Sequence, residues 1–89
     1  MHKAPGGLIR VHLLGRHGEI ENLMISGDFT CLPPDGVDRL AARLSGAPLV
    51  LEPLIQKIEE ATRELRIQTP GVSAYDLATA IIMAVEHSD

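Results

Sequence analysis

Aromatic side chains are almost missing from these 89 residues: there is no tryptophan, and Phe29 and Tyr75 are the only rings of their kind. A core must therefore be filled by Leu, Ile, Val, Met and Ala, without the large buried area that rings supply. Cysteine is as scarce. Cys31 stands alone, which excludes an internal disulfide and a cysteine-rich metal site and fits a reducing cytoplasm. Cations are few and scattered, eight Lys and Arg against twelve Asp and Glu, for a net charge of −4. Such a balance argues against nucleic acid as a partner, because phosphate binding needs clustered Lys and Arg. No apolar run approaches a membrane span, and the opening Met-His-Lys-Ala-Pro-Gly-Gly has no apolar signal core. The expectation is a soluble, cytoplasmic protein with no membrane partner.

What is present is an ordinary apolar share of 45%, enough for one small domain. A domain of this size has no room for a deep substrate cavity beside its core. Its stability would gain from burial against a partner.

Residues 1–6 contain Pro5 and Gly6 and little to bury, and read as a flexible leader before a single domain over 7–89. Ile9, Val11 and Leu13 then alternate with Arg10 and His12, the period of a strand covered on one face. Gly15-Arg16-His17-Gly18 supplies a turn, and Glu19 to Ser26 returns, so the pair is a β-hairpin. On the returning strand, simple alternation puts Ile20 and Met24 on one face and Leu23 and Ile25 on the other. One face should meet helices and the other a third strand edge or a partner. Phe29 to Leu32 is the candidate third strand.

Three helices follow. Pro34 suits a first helical turn, Asp35 adds a favourable charge there, and Val37, Leu40, Ala41 and Leu44 recur at helical spacing until Ser45-Gly46. After an apolar connector, Ala47 to Leu51, Glu52-Pro53 opens a longer helix with Ile55, Ile58, Thr62 and Leu65 as its stripe, ending at Thr69-Pro70-Gly71. Glu59 and Arg63 are spaced to pair on its solvated side. Ser73 caps the last helix, with Asp76 at the capping-box position. Only Thr79 is polar between Leu77 and Val85, so this helix should be buried on most of its circumference, against a second body.

No catalytic set emerges from these residues. His2, His12, His17 and His87 fall in the leader, a strand, a turn and a helix end, with no second ligand at helical spacing and no His-Glu-x-x-His or Cys-x-x-Cys frame. Surface histidines are the plain reading, and His87 suits a helix end. Cys31 lacks an adjacent base, although His12 or His17 could reach it through the hairpin, and a free cysteine is commonly a small buried apolar residue. Gly6-Gly7 and Ser26-Gly27 lack a phosphate-loop frame, and Ser26 lacks a His and Asp relay. Asp28 after Gly27 is an ordinary turn residue, with Glu19 and Glu21 not placed to titrate with it.

One stretch is more informative. The hairpin Ile9 to Leu13 with Gly18 to Phe29, ending in Gly27-Asp28-Phe29, resembles the C-terminal accessory domain of lipoate-protein ligases. The nearer likeness is to the separate small subunit of two-component ligases. It extends through Pro34-Asp35, Leu44-Ser45-Gly46, Glu-Pro-Leu-Ile-Gln-Lys-Ile and Ser-Ala-Tyr-Asp-Leu-Ala, from Gly7 to His87. The resemblance implies a non-catalytic accessory subunit in a heterodimer with a catalytic subunit. That subunit would bind ATP, Mg and lipoate, make lipoyl-adenylate, and pass the lipoyl group to a lysine of an acceptor domain. This chain would bind no cofactor alone, and Gly27, Asp28 and Phe29 would lie at or beside the subunit interface.

The implied fold is α+β, an antiparallel hairpin or three-stranded sheet covered by about three helices, similar to the iron-sulfur scaffold and sulfur-acceptor fold. Cys31 falls near the working cysteine of those proteins. The alternatives are thus a single-cysteine sulfur carrier or scaffold-like protein using Cys31, or a plain interaction module. Neither the acceptor nor the use of octanoate is legible in the residues.

Overall fold

In a computed structural model that describes residues 2–86, with no side-chain description for Glu86, the chain folds as a sheet with helices on one face. The sheet is an antiparallel meander in the order β1-β2-β3: β1 (His2–Ala4), β2 (Gly7–Arg16) and β3 (Glu19–Gly27). Helices α1 (Gly36–Arg43), α2 (Leu51–Leu65) and α3 (Ala74–Glu86) follow. The architecture is α+β, as the residue pattern indicates.

The third strand is β1, not Phe29 to Leu32. His2–Ala4, within the expected leader 1–6, is part of the domain: it pairs with β2 in the register His2↔Ile9, Lys3↔Leu8 and Ala4↔Gly7, and Ala4 is buried. Pro5-Gly6 is the turn between them, a proline-glycine pair whose preset φ and permissive glycine close a tight loop. Its Gly6 N–H donates to the Gly71 carbonyl at 2.8 Å, tying the turn to the segment before α3. Leu32 instead forms a single bridge with Gln68, each N–H donating to the other carbonyl at 2.8 Å.

A bulge decides which residues of β3 face inward. The register runs Val11↔Ile25 and Leu13↔Leu23, then slips between Leu14 and Gly15 so that Gly15 faces Ile20. One extra residue inverts the alternation. Ile20 therefore joins Leu23 and Ile25 in the core, and Met24 is left alone outside, correcting the expected pairing of Ile20 with Met24. The connector after α1 lies along this end of β3: Ile20 N–H donates to Ala47, and Gly46 N–H to Ile20, at 2.9 and 2.7 Å.

Helices α1 and α3 pack on the sheet, and α2 packs on both of them. Leu40, Ala41 and Leu44 enter the core from α1, as their spacing indicates. On α2 the buried residues are Leu54, Ile58 and Ala61, with Ile55, Thr62 and Leu65 half-buried, so the inward stripe is rotated from the expected one. That helix also stops at Leu65 rather than Thr69, because Arg66 turns left-handed at φ 54° and its N–H returns to the Arg63 carbonyl. Glu59 and Arg63 are not among the ion pairs of the described residues, whereas Arg43 on α1 meets Glu64 at 2.8 Å. From α3, Leu77, Ala78, Ala80 and Ile81 are buried in the core, Ile82 packs against it, and Met83 to Val85 are half-buried. His87 lies outside the described residues.

Candidate partner interface

Gly27, Asp28 and Phe29 form the corner where β3 leaves the sheet, and their geometry is set by close approach to Leu8. Gly27 has φ 151°, and a Cβ there would overlap the Leu8 carbonyl oxygen and stand 3.1 Å from the Phe29 ring. Only glycine relieves both the contact and the backbone conformation. Asp28 then completes the ladder with its side chain. Its N–H donates to the Leu8 carbonyl at 3.2 Å, and its Oδ1 accepts the Leu8 N–H at 2.6 Å, in place of a backbone carbonyl. Phe29 is half-buried and packs against the core. The corner is a rigid clasp on the start of β2, with the Asp28 side chain at the surface.

Beside this corner lies the outer face of the sheet, which no helix covers. Its cross-strand pairs are Lys3↔Leu8, Arg10↔Ser26, His12↔Met24, Leu14↔Asn22 and, beyond the bulge, Arg16↔Glu19, the alternate set to the core-facing rows. Leu14 and Met24 are diagonal neighbours there, 57% and 60% exposed. A hollow lined by Leu8, Arg10, Ser26, Gly27 and Asp28 joins this face to the corner. The residue pattern indicates the turn at the corner and a sheet face left free of helices, but not which apolar residues lie on that face. The alternation of Arg10 and His12 against Ile9 and Val11 was a usable signal, but the bulge concealed Met24.

The other candidates are dispersed. His12 stands on the outer face and His17, at φ 53°, in the β2–β3 turn, so neither hydrogen-bonds to Cys31. Cys31 is half-buried, and its Sγ donates to the Pro33 carbonyl at 3.3 Å. No group of three metal-ligating side chains converges among the described residues.

His2, Ser73 and Asp76 do converge, and their order shows a structural role. Asp76 lies between the other two: His2 Nε2 is 3.0 Å from its Oδ1, and the Ser73 backbone N–H and hydroxyl both donate to its Oδ2 at 3.0 Å. Ser73 Oγ accepts the Asp76 N–H at 3.1 Å, which completes the capping box at the start of α3. A hydrolytic relay needs histidine between hydroxyl and carboxylate, which this arrangement lacks. Its effect is to cap α3 and fasten β1 to it. Hydrogen bonds from the Ser73 backbone N–H first, then His2, hold the Asp76 carboxyl below its ordinary range against the opposing effect of burial.

This sets a pH dependence. A lowered folded pKa means the contribution is complete above the unfolded value, about 4, and lost as pH falls through the folded one. Asp76→Ala should cost roughly 1–2 kcal/mol at neutral pH, the value of a lost cap. In urea unfolding, the gap between variant and wild type should narrow progressively as pH is taken below about 4. An unchanged gap would remove the carboxylate from the explanation.

No family model matches the chain. A curated relative does: the chain is 38% identical over 82 residues to lipoate-protein ligase A subunit 2 of Thermoplasma acidophilum, spanning 89% of this chain and 81% of that protein. In three dimensions it superposes with a TM-score of 0.77 and 35% identity on a chain from the structural study of an archaeal lipoylation system, a bipartite lipoate protein ligase and its E2 lipoyl domain, from the same organism. The superposition covers 90% of this chain and 88% of that one. With that identity over most of both sequences, and with a superposition over nearly the whole chain, the chain belongs to the family of lipoate-protein ligase A subunit 2.

Proposed function

We infer that this protein is the non-catalytic accessory subunit of a two-component lipoate-protein ligase, acting in a heterodimer with the catalytic subunit. The observation that carries this reading is the likeness to a small ligase subunit over nearly the whole chain. The bare, partly apolar sheet face supports it physically, since an uncovered face of this kind suits docking. ATP, Mg and lipoate would be held by the partner, and the lipoyl acceptor domain would be met only through it.

The step assigned to the accessory subunit is formation of lipoyl-adenylate, before transfer to the acceptor lysine. Adenylation joins a carboxylate to the α-phosphate of ATP and releases pyrophosphate. It therefore brings two anions together. A body docked over the catalytic subunit assists by excluding water and fixing the loops that align these groups. Gly27, Asp28 and Phe29 would sit at or beside that contact.

The test is lipoate-dependent exchange of pyrophosphate into ATP by the catalytic subunit, with and without this protein, followed by transfer from preformed lipoyl-adenylate. Exchange should rise by at least about tenfold on addition, the scale of rate gained when a closure completes a site, while transfer changes little. Equal stimulation of both steps would place the action elsewhere. No effect on either, with no binding, would remove the protein from lipoate activation.

A further inference from the structure

Building on the accessory-subunit reading, we propose that the free edge of β3, with the groove between it and α1, takes an extended, cation-bearing segment of the catalytic subunit as a fourth strand of the sheet. In an antiparallel pair, residues that exchange hydrogen bonds with the neighbouring strand alternate with residues that turn their N–H and C=O away from it. The Asp28 N–H donates to the Leu8 carbonyl, so these two belong to the bonded set. Two-residue steps along the register then put Ser26, Met24 and Asn22 in bonds to β2, and turn Gly27, Ile25 and Leu23 outward.

Outward is the edge of the sheet, because β3 is the last strand in its order. One end of that edge is already closed. The connector after α1 takes the outward groups of Ile20, whose N–H donates to Ala47 and whose carbonyl accepts from Gly46. At the other end the chain leaves the sheet at the Gly27–Asp28 corner. Between the two, the outward N–H and C=O of Leu23 and Ile25 bond to no other backbone among the described residues. Leu23 and Ile25 are only 9% and 3% exposed, and backbone groups so deeply set ordinarily have a partner.

A groove of about 480 Å³ runs beside them, between β3 and α1. On the helix side, Ala42 and Ser45 are small and leave it open. Glu21, Asn22 and Asp38 also line it, and no Lys or Arg does. Glu21 shares its charge with exposed Arg16 at 3.5 Å, whereas Asp38 is in none of the ion pairs of the described residues. An unpaired edge recognises extended backbone, and carboxylates beside it select a segment carrying Lys or Arg. The same charges disfavour a second copy. Pairing two β3 edges with Leu23 opposite Ile25 would set each Glu21 opposite Gly27 of the other copy and next to its Asp28, and would bring two Asp38-bearing helices to one junction.

Two measurements on the full-length chain test this. Amide hydrogen exchange is read residue by residue by NMR, for the chain alone and bound to its catalytic subunit. The Leu23 amide is expected to slow by at least about tenfold more than the Met24 amide, since Leu23 gains an acceptor on binding and Met24 already has one in β2. Titration calorimetry then compares variants. Ala42→Arg, which fills the groove and adds a cation, and Asp38→Lys, which reverses its free charge, should each weaken binding by about tenfold or more. Glu59→Lys, a charge reversal on exposed α2 outside the groove, should bind as wild type does. Circular dichroism melts check that all three variants keep the fold.

The outcomes are distinct. A Leu23 amide unchanged in the complex, with full affinity in both groove variants, would overturn the assignment of this edge while leaving the heterodimer standing. No binding by wild type would overturn the accessory-subunit reading and this assignment together. Leu23 protection that rises with the concentration of the free subunit, with heterodimer affinity unaffected by Ala42→Arg, would overturn it in favour of a second copy.

Discussion

Gly27→Val is expected to lower the melting temperature by about 16–32 °C, a total cost of about 4 kcal/mol on the scale of 4–8 °C per kcal/mol for a domain of this length. Two costs combine. A β-branched residue at φ 151° is held in backbone space that L side chains avoid, worth roughly 1–3 kcal/mol. Its Cβ also overlaps the Leu8 carbonyl oxygen, so β2 and β3 must separate at the point where Asp28 clasps them. Such displacement costs roughly another 1–3 kcal/mol. Gly7 sits in the same contact from the other strand, where a Cβ would meet the Asp28 carbonyl, so the backbone cannot yield in that direction. Ser26→Val is the matched control: one residue earlier, exposed and in regular strand, it should shift the melt by no more than a few degrees. A Gly27→Val melt as small as that of the control would show that the corner is looser than its geometry states.

Leu54→Ala should cost about 2–5 kcal/mol, the range for deleting a fully buried aliphatic side chain and leaving a cavity. Leu54 has no exposure at all, and it lies on the helix that links α1 to α3. A domain of this size holds on the order of 5–10 kcal/mol in total, so the variant is expected to be partly unfolded at 37 °C. Thr62→Ala on the same helix should cost well under half as much. Its hydroxyl donates back to the Glu59 carbonyl within the helix, and the side chain is half-buried. Urea denaturation followed by circular dichroism compares them. Equal losses would mean that α2 presents the face its sequence stripe suggests, with Thr62 inward.

That comparison marks where residue pattern and structure part. On α2 the apolar residues Leu54, Ile55, Ile58, Ala61 and Leu65 span more than one stripe, and pattern alone cannot choose between adjacent ones. The choice is made by tertiary packing against α1 and α3, which buries Leu54, Ile58 and Ala61. On α1, by contrast, Val37, Leu40, Ala41 and Leu44 offer one stripe bounded by charge, and that stripe is the buried one apart from half-buried Val37. The capping box at Ser73 and Asp76 was legible for the same reason: a local bond depends on local spacing.

Non-local features were not legible. His2–Ala4 carries only three residues, too few for a period, and its identity as a strand depends on Ile9, Leu8 and Gly7 opposite. The proline-glycine turn was the one available clue. The bulge at Leu14 and Gly15 likewise leaves no mark in composition, yet it moves Ile20 inward and strands Met24 outside. The corner at Gly27 could be read because glycine before aspartate signals a turn. That one face would stay free of helices followed from the alternation of Arg10 and His12 with Ile9 and Val11, but that Met24 rather than Ile20 stands on it did not, because the register slip is set by pairing across strands.

Every strand of the sheet comes from the first 27 residues, and each pairs with its neighbour in sequence. As the chain leaves a ribosome, the whole meander emerges before any helix has emerged. At ordinary synthesis rates the helices follow over several seconds, roughly 3–12 s. Through that interval Ile9, Val11, Leu23 and Ile25 have nothing to cover them on one side, and Leu14 and Met24 nothing on the other. The nascent chain is therefore most prone to misassociate early, and a chaperone that shields β-rich segments at the tunnel exit would act before α1 appears.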